Sequence, residues 1–191
     1  MQKMASFLMV SLDGYHEGPN PWSLEWHNVD DEFNDFAQQQ LDASEYLVFG
    51  RATYQGMAQY WPSPEGPKEN PVAVVDRMNN ASKIVISRTL IKPEPEWKNT
   101  RLIKDNIAEE VTRLKLQARR DLLVLGSSAL TASLMDIGLL DELRIIVNPV
   151  VLGSGHSVLA AAKKTQLKLL SNRTFKSGNV LLTYEPLARR A

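Results

Sequence analysis

Leu122-Leu123-Val124-Leu125-Gly126-Ser127-Ser128 is four apolar residues followed at once by a glycine and two serines. A short unbroken apolar run fits a strand covered on both faces, as in a parallel sheet with helices on either side. Leu130, Leu134 and Ile137 then share one helix face, and Gly138 stands where such a helix stops. The stretch therefore reads as strand, tight turn, helix. Upstream, Ile107, Val111, Leu114 and Ala118 mark another helix, with Asn106 and Glu109 spaced as a capping box.

The same alternation extends towards the N-terminus. Met4 to Leu12 is an apolar strand ended by Asp13-Gly14. Phe33, Phe36, Ala37, Gln40 and Leu41 form one helix face, with Asn28 or Asp30 as N-cap. Tyr46 to Phe49 is a buried strand closed by Gly50, and Thr53 is placed to cap a short helix carrying Tyr54, Met57 and Ala58. Residues 62–71 hold four prolines and one glycine and read as a loop or lid. Asn70-Pro71 then suits the start of a helix with Val72, Val75 and Met78. Lys83 to Ser87 and Thr100 to Ile103 are strands. Beyond the quoted stretch, Leu143 to Leu152 is a long strand in which Pro149 suggests a bend or a sheet edge. Gly153-Ser154-Gly155 is a turn. Leu167 to Phe175 and Val180 to Glu185 form a hairpin.

The pattern predicts one α/β domain over residues 1–191, with its core at about 4–185. It has a mixed, mostly parallel sheet flanked by helices and an antiparallel C-terminal hairpin. Ligands of such sheets sit at the carboxyl ends of the strands.

Composition narrows the function. Hydrophobic residues make up 43% and charged residues 23%, which argues against a disordered chain. Lys plus Arg and Asp plus Glu are 22 each, so no global basic field favours nucleic acid or anionic membrane, and neither partner is expected. No run approaches the ~20 apolar residues of a membrane span. The absence of cysteine removes disulfides, thiolate nucleophiles and iron–sulfur ligands, and suits a reducing, cytoplasmic setting. His16, His27 and His156 are too scattered for a zinc motif, so no metal is expected. No nucleophile elbow appears.

Three strand-to-helix junctions are suited to anions. Gly126-Ser127-Ser128 places helix N–H groups at a strand end. Gly50-Arg51-Ala52-Thr53 adds a guanidinium and a hydroxyl. Ser87-Arg88 is the third. Each alone reads first as a turn with a cap or a surface arginine; together they suggest a ligand with several phosphates, a dinucleotide. The usual glycine fingerprint and the P-loop are both missing, since Gly153-Ser-Gly-His156 follows a late strand and reads as a turn.

Val10-Ser-Leu-Asp-Gly-Tyr15, Val48-Phe-Gly-Arg-Ala-Thr-Tyr54, Lys83-Ile-Val-Ile-Ser-Arg88, Val124-Leu-Gly-Ser-Ser128 and Val147-Asn-Pro-Val-Val-Leu-Gly-Ser-Gly155 occur in this order. The ordered set resembles the dihydrofolate reductase-like superfamily. Its closest likeness is to the C-terminal reductase domain of bacterial bifunctional riboflavin-biosynthesis deaminase–reductases, over about Met4 to Tyr184. The resemblance implies NADPH as hydride donor. It assigns Gly50, Arg51 and Thr53 to the adenosine phosphates, Ser87 and Arg88 to the adenosine side, and Gly126, Ser127 and Ser128 to the pyrophosphate turn, with serines at the family's second and third glycines. Val10, Asp13 and Gly14 fall beside the nicotinamide.

On the substrate side, the resemblance places an acid near the start of the first long helix, where Asp31 and Glu32 lie and where acids are also welcome for the helix dipole alone. Trp22, Trp26 and Phe36 are candidates to cover a flat heterocycle, or simply the core. The arginine that binds the folate tail has no counterpart, since that region reads Asn80-Ala-Ser-Lys83. The expected activity is NADPH-dependent reduction of a small heterocycle, as in 5-amino-6-(5-phosphoribosylamino)uracil reduction. The alternatives are a non-catalytic nucleotide-binding module or a dihydrofolate reductase proper. Apolar surface on the 143–152 strand and the hairpin, and the likeness to these reductases, suggest a homodimer.

Overall fold

A computed structural model describes residues 1–187. Its strands are β1 (Met4–Ser11), β2 (Tyr15–Glu17), β3 (Ser44–Gly50), β4 (Ser82–Ile86), β5 (Thr100–Ile103), β6 (Asp121–Leu125), β7 (Glu142–Asn148), β8 (His156–Ser157), β9 (Leu167–Thr174) and β10 (Val180–Pro186). Its helices are α1 (Asp31–Asp42), α2 (Arg51–Tyr60), α3 (Glu65–Glu69), α4 (Val72–Asn80), α5 (Ile107–Gln117) and α6 (Ser128–Asp136). Eight strands form one sheet in the order β5-β4-β3-β6-β1-β7-β10-β9. The first six run parallel, and β10 is antiparallel to both its neighbours. β2 and β8 make a separate small ribbon.

The two-residue period of the strands divides the core into two layers. Phe7, Leu47, Phe49, Leu123 and Ile146 pack with Phe33, Leu41, Tyr54, Val74 and Met78 from α1, α2 and α4. Leu8, Val48, Ile84, Leu122, Val124 and Leu143 point the other way, to Val111 and Leu114 of α5 and Leu134 of α6. Each fully buried aliphatic side chain contributes about 1.5–3 kcal/mol, so the unbroken apolar runs are what make a doubly covered sheet stable.

Several local expectations need correction. Gly50, not Thr53, is the N-cap of α2, because its extended backbone (φ −79°, ψ 166°) turns the chain without a side-chain bond. The proline-rich segment holds a one-turn helix, α3. Asn70 closes that helix rather than opening α4, with its amide donating to the Gly66 carbonyl and the Tyr60 hydroxyl. Asn106 does precede α5, but in a left-handed conformation with no side-chain cap bond, so no capping box forms. β7 ends at Asn148, before Pro149, and is an interior strand between β1 and β10. The edges are β5 and β9, and all eight residues of β9 are exposed.

Candidate functional site

β3 and β6 are parallel neighbours, so the helices that follow them, α2 and α6, start side by side. Their first residues touch. The Gly50 N–H donates to Ser127 Oγ over 2.8 Å. Gly126 (φ 57°) and Ser127 (φ 54°) both adopt the left-handed conformation that reverses the chain from β6 into α6. A Cβ on Gly126 would stand 3.2 Å from Thr53 Cγ2, so this glycine serves both the turn and the close approach of α2. Neither helix has a side-chain N-cap bond. The free first-turn N–H groups of two helices, each with a partial positive charge, thus converge at one place. This is a cradle suited to an anion with several oxygens.

Both serines of the turn have defined work. Ser127 pins the two helix starts together. Ser128 Oγ accepts the Leu159 N–H at 2.7 Å and so holds the loop after β8 against α6. Around the cradle, Arg51 and Arg88 are exposed, and neither guanidinium pairs with a carboxylate among the described residues. Ser87 accepts the Leu90 N–H at 3.1 Å and shapes the turn after β4.

At the end of β1 the roles are partly structural. The Asp13 carboxylate accepts the N–H groups of Leu152 (3.1 Å) and Gly153 (2.7 Å). Hydrogen bonds from Ser11 and from these amides hold its pKa below the usual carboxylate value. Gly14 (φ 87°) completes the turn, and its carbonyl accepts from Val158 N–H. The buried Val10 carbonyl accepts Asn148 Nδ2 at 3.2 Å. Asn148 belongs to a cluster that sequence reasoning missed. Its Oδ1 accepts the Asn28 N–H (2.9 Å), Asn28 Nδ2 donates to the Ser177 carbonyl (2.8 Å), and Asn179 Nδ2 donates to the Asn28 carbonyl (2.7 Å). Asn148 and Asn179 are both buried. A polar residue ending the apolar β7 run was the one visible signal.

The two candidate acids make other contacts. Glu32 bonds Arg173 Nη2 at 2.7 Å and the Lys176 N–H at 2.8 Å, tying α1 to the C-terminal hairpin. The Lys176 N–H and the Arg173 side chain hold its carboxyl below the usual value, opposite to the elevation that desolvation by Trp26 or Phe36 would give a general acid. Asp31 is exposed in the first turn of α1, where Asp30 is the N-cap through a 2.8 Å bond to the Phe33 N–H. The sequence-based acid assignment therefore finds no support in Glu32, whose oxygens are engaged elsewhere. Phe36 packs edge-on against Phe7 and Phe175 and belongs to the core layer.

The loop before α1 carries the remaining candidates. Trp22 (φ 62°) lies against Gly56 of α2, and its N–H donates to Glu17 Oε1. Trp26 bonds the Ser23 carbonyl through Nε1 and meets the His27 ring edge-on at 4.4 Å. Burial pushes His27 down to about 4, so it is neutral near pH 7. No group of His, Asp or Glu that could hold a metal occurs among the described residues, and no helix there is long and apolar enough to cross a membrane.

Six parallel strands, the reversed β10 and a cradle of helix starts at the carboxyl ends define the dihydrofolate reductase-like fold. The structure of Enterococcus faecalis dihydrofolate reductase, complexed with NADP(H), matches 96% of this chain and 96% of its own, with TM-score 0.57 and 16% identity. The family model of the RibD C-terminal domain matches residues 2–181, and the chain belongs to that family. A Thermotoga maritima diaminohydroxyphosphoribosylaminopyrimidine deaminase/5-amino-6-(5-phosphoribosylamino)uracil reductase matches 97% of the chain and 57% of its own, with TM-score 0.71 and 13% identity. In sequence, the chain is 34% identical over 181 residues to the uncharacterized protein YyaP of Bacillus subtilis strain 168, covering 93% of this chain and 91% of that one.

Proposed function

We propose that the protein is an NADPH-dependent reductase of a small flat heterocycle, of the kind reduced in riboflavin synthesis. The observation that carries this reading is the junction of two uncapped helix starts, α2 and α6, joined by the Gly50–Ser127 bond. The cradle fits a pyrophosphate, and Arg51 beside it, which pairs with no carboxylate among the described residues, fits a 2′-phosphate. Gly50, Arg51, Thr53 and the Gly126–Ser128 turn would hold the phosphates, with Ser87 and Arg88 on the adenosine side. Val10, Asp13 and Gly14 would border the nicotinamide. When bound, the cofactor supplies the hydride; the protein orients the ring and excludes water. The cytoplasm, with its reduced nucleotides, is the setting this reading implies. NADPH titration followed by NADPH consumption with a ribosylaminopyrimidine substrate tests it. Binding without turnover on any pyrimidine or pterin would leave a nucleotide-binding module instead, a reading favoured by the engagement of both Glu32 oxygens with Arg173 and Lys176.

The partner proposed is a second copy of this chain. The exposed edge strand β9 carries Leu167, Leu169 and Leu170, between 38% and 49% exposed. An edge with apolar side chains invites pairing. Light scattering at micromolar concentration should give twice the chain mass, and Leu169→Lys should return it to the monomer value.

A further inference from the structure

The segment between β2 and α1 crosses the carboxyl edge of the sheet and is fixed at three points. At its start, Glu17 is paired with β8, and its carboxylate bonds His156 Nδ1 at 2.8 Å. At its end, Asn28 is held by Asn148 and Asn179 on β7 and the hairpin. Between them, the tip reaches α2, beyond the end of β6. There a methyl group built on Gly56 would stand 1.8 Å from Cζ2, 2.3 Å from Cη2 and 2.4 Å from Cε2 of the Trp22 indole. The ring is seated directly on helix backbone, in a space that any side chain would fill. Gly56 is the only glycine within α2, where glycine weakens a helix. Trp22 itself is left-handed (φ 62°), which is strained for a bulky residue. The Glu17 carboxylate holds it there by accepting its N–H at 2.5 Å. Pro19 and Pro21 stiffen the approach. A helix glycine and a strained tryptophan, each unfavourable alone, make sense as a fitted pair.

We propose that Trp22 is the clasp of a roof over the carboxyl ends of the strands, with Gly56 as its seat and Glu17 as the residue that positions it. The inference rests on the reading above that the ligand lies at the strand ends, beneath this segment. Trp22 joins the end of β2, through Glu17, to α2, through Gly56, so a bound ring is retained until Trp22 lifts from Gly56. Its outer side is open to water, with the residue 46% exposed, so lifting uncovers little of the core.

The clasp is tested first without ligand. The chain has four tryptophans, so fluorotryptophan labelling should give four fluorine resonances, with Trp22 assigned by its loss in Trp22→Phe. Gly56→Ala adds helix propensity, so the fold is kept, which circular dichroism checks. It should move the Trp22 resonance and leave those of Trp61 and Trp97 in place. An unmoved Trp22 resonance overturns the proposal. Next, NADPH dissociation should quicken in Gly56→Ala and in Trp22→Ala by about 2- to 12-fold, the factor for one aromatic contact. The double variant should be no faster than the faster single one. Unchanged dissociation beside a displaced Trp22 also overturns it. If the parent protein does not bind NADPH, the cofactor reading fails by itself, and the fluorine spectrum alone decides whether the clasp exists.

Discussion

The Gly50 amide and the Ser127 hydroxyl, 77 residues apart in the chain, are joined by a 2.8 Å hydrogen bond that ties the start of α2 to the start of α6. A Cβ on Gly50 would stand 3.2 Å from that same hydroxyl oxygen, tighter than an ordinary contact. The bond therefore depends on glycine on one side and on a hydroxyl on the other. The Ser127 side chain is turned towards α2, so it reinforces the cradle from outside.

Ser127→Ala should leave the Gly50 amide without its partner while keeping the left-handed strain, and destabilise the protein by about 0.5–1.5 kcal/mol. Ser127→Gly loses the same bond but regains backbone freedom at φ 54°, worth about 1 kcal/mol, so its net change should be close to zero. Urea unfolding of the two variants measures the difference. Equal losses in both would mean that the bond, not the strain, dominates.

Arg51 offers its guanidinium at the mouth of the cradle with no carboxylate to neutralise it among the described residues. A charge-assisted contact to a 2′-phosphate is worth about 1.5–3 kcal/mol, roughly 10- to 150-fold in affinity. Arg51→Ala should weaken NADPH by that factor and NADH hardly at all, as read by fluorescence titration. Equal weakening of both nucleotides would move the 2′-phosphate elsewhere.

The sheet and its glycine-led helix starts were legible because each rests on local pattern. Leu122–Leu125 and Tyr46–Phe49 are apolar on both faces, and each is followed at once by a glycine. The loops were not legible in the same way. Asn28, Asn148 and Asn179 meet from three distant segments, and apart from the polar end of the apolar β7 run nothing marks them. Glu32 looks like a catalytic acid because acids suit both a helix N-terminus and a proton donor; only the approach of Arg173 and Lys176 from the hairpin separates the two roles. Gly56 was passed over because a glycine in a short helix carries no pattern until its neighbour Trp22 is seen.

Lys83 gives a pH test of the core. It is fully buried, donates to the carbonyls of Asn79 (3.0 Å), Ala81 (2.9 Å) and Lys98 (3.2 Å), and lies 4.4 Å from the centre of the Trp97 ring. Burial first, then the charges of Lys98 and Arg77, push its pKa down from 10.5 to about 8. The unfolded chain then binds more protons than the folded one between those two values, so stability rises with pH across that window. Lys83→Met lacks this slope. The stability of the parent relative to Lys83→Met should increase from pH 8 towards pH 10 in urea titrations. A flat difference would mean that the three carbonyls and the indole keep the ammonium charged throughout.

Glu32 decides whether a helix carboxylate takes part in the chemistry. Both its oxygens are occupied, Oε1 by Arg173 and Oε2 by the Lys176 N–H. Its pKa is lowered in the folded protein, so its contribution to stability is present above the ordinary value of 4.5 and is lost as pH falls through the lower folded value. A general acid needs the opposite, a proton retained near neutral pH. Glu32→Gln should therefore leave turnover within about twofold of the parent, where loss of a general acid would lower it ~10²–10⁴-fold. What it should change is the hairpin. Amide exchange at Lys176 should quicken near neutral pH, and the gap between variant and parent should close as pH falls through the lowered folded value. Asp31→Asn, with no bond to lose beyond its place near the helix start, should match the parent in both measurements. A hundredfold loss of turnover in Glu32→Gln, with NADPH affinity intact, would return the proton-donor role to this residue and require Arg173 to release it when substrate binds.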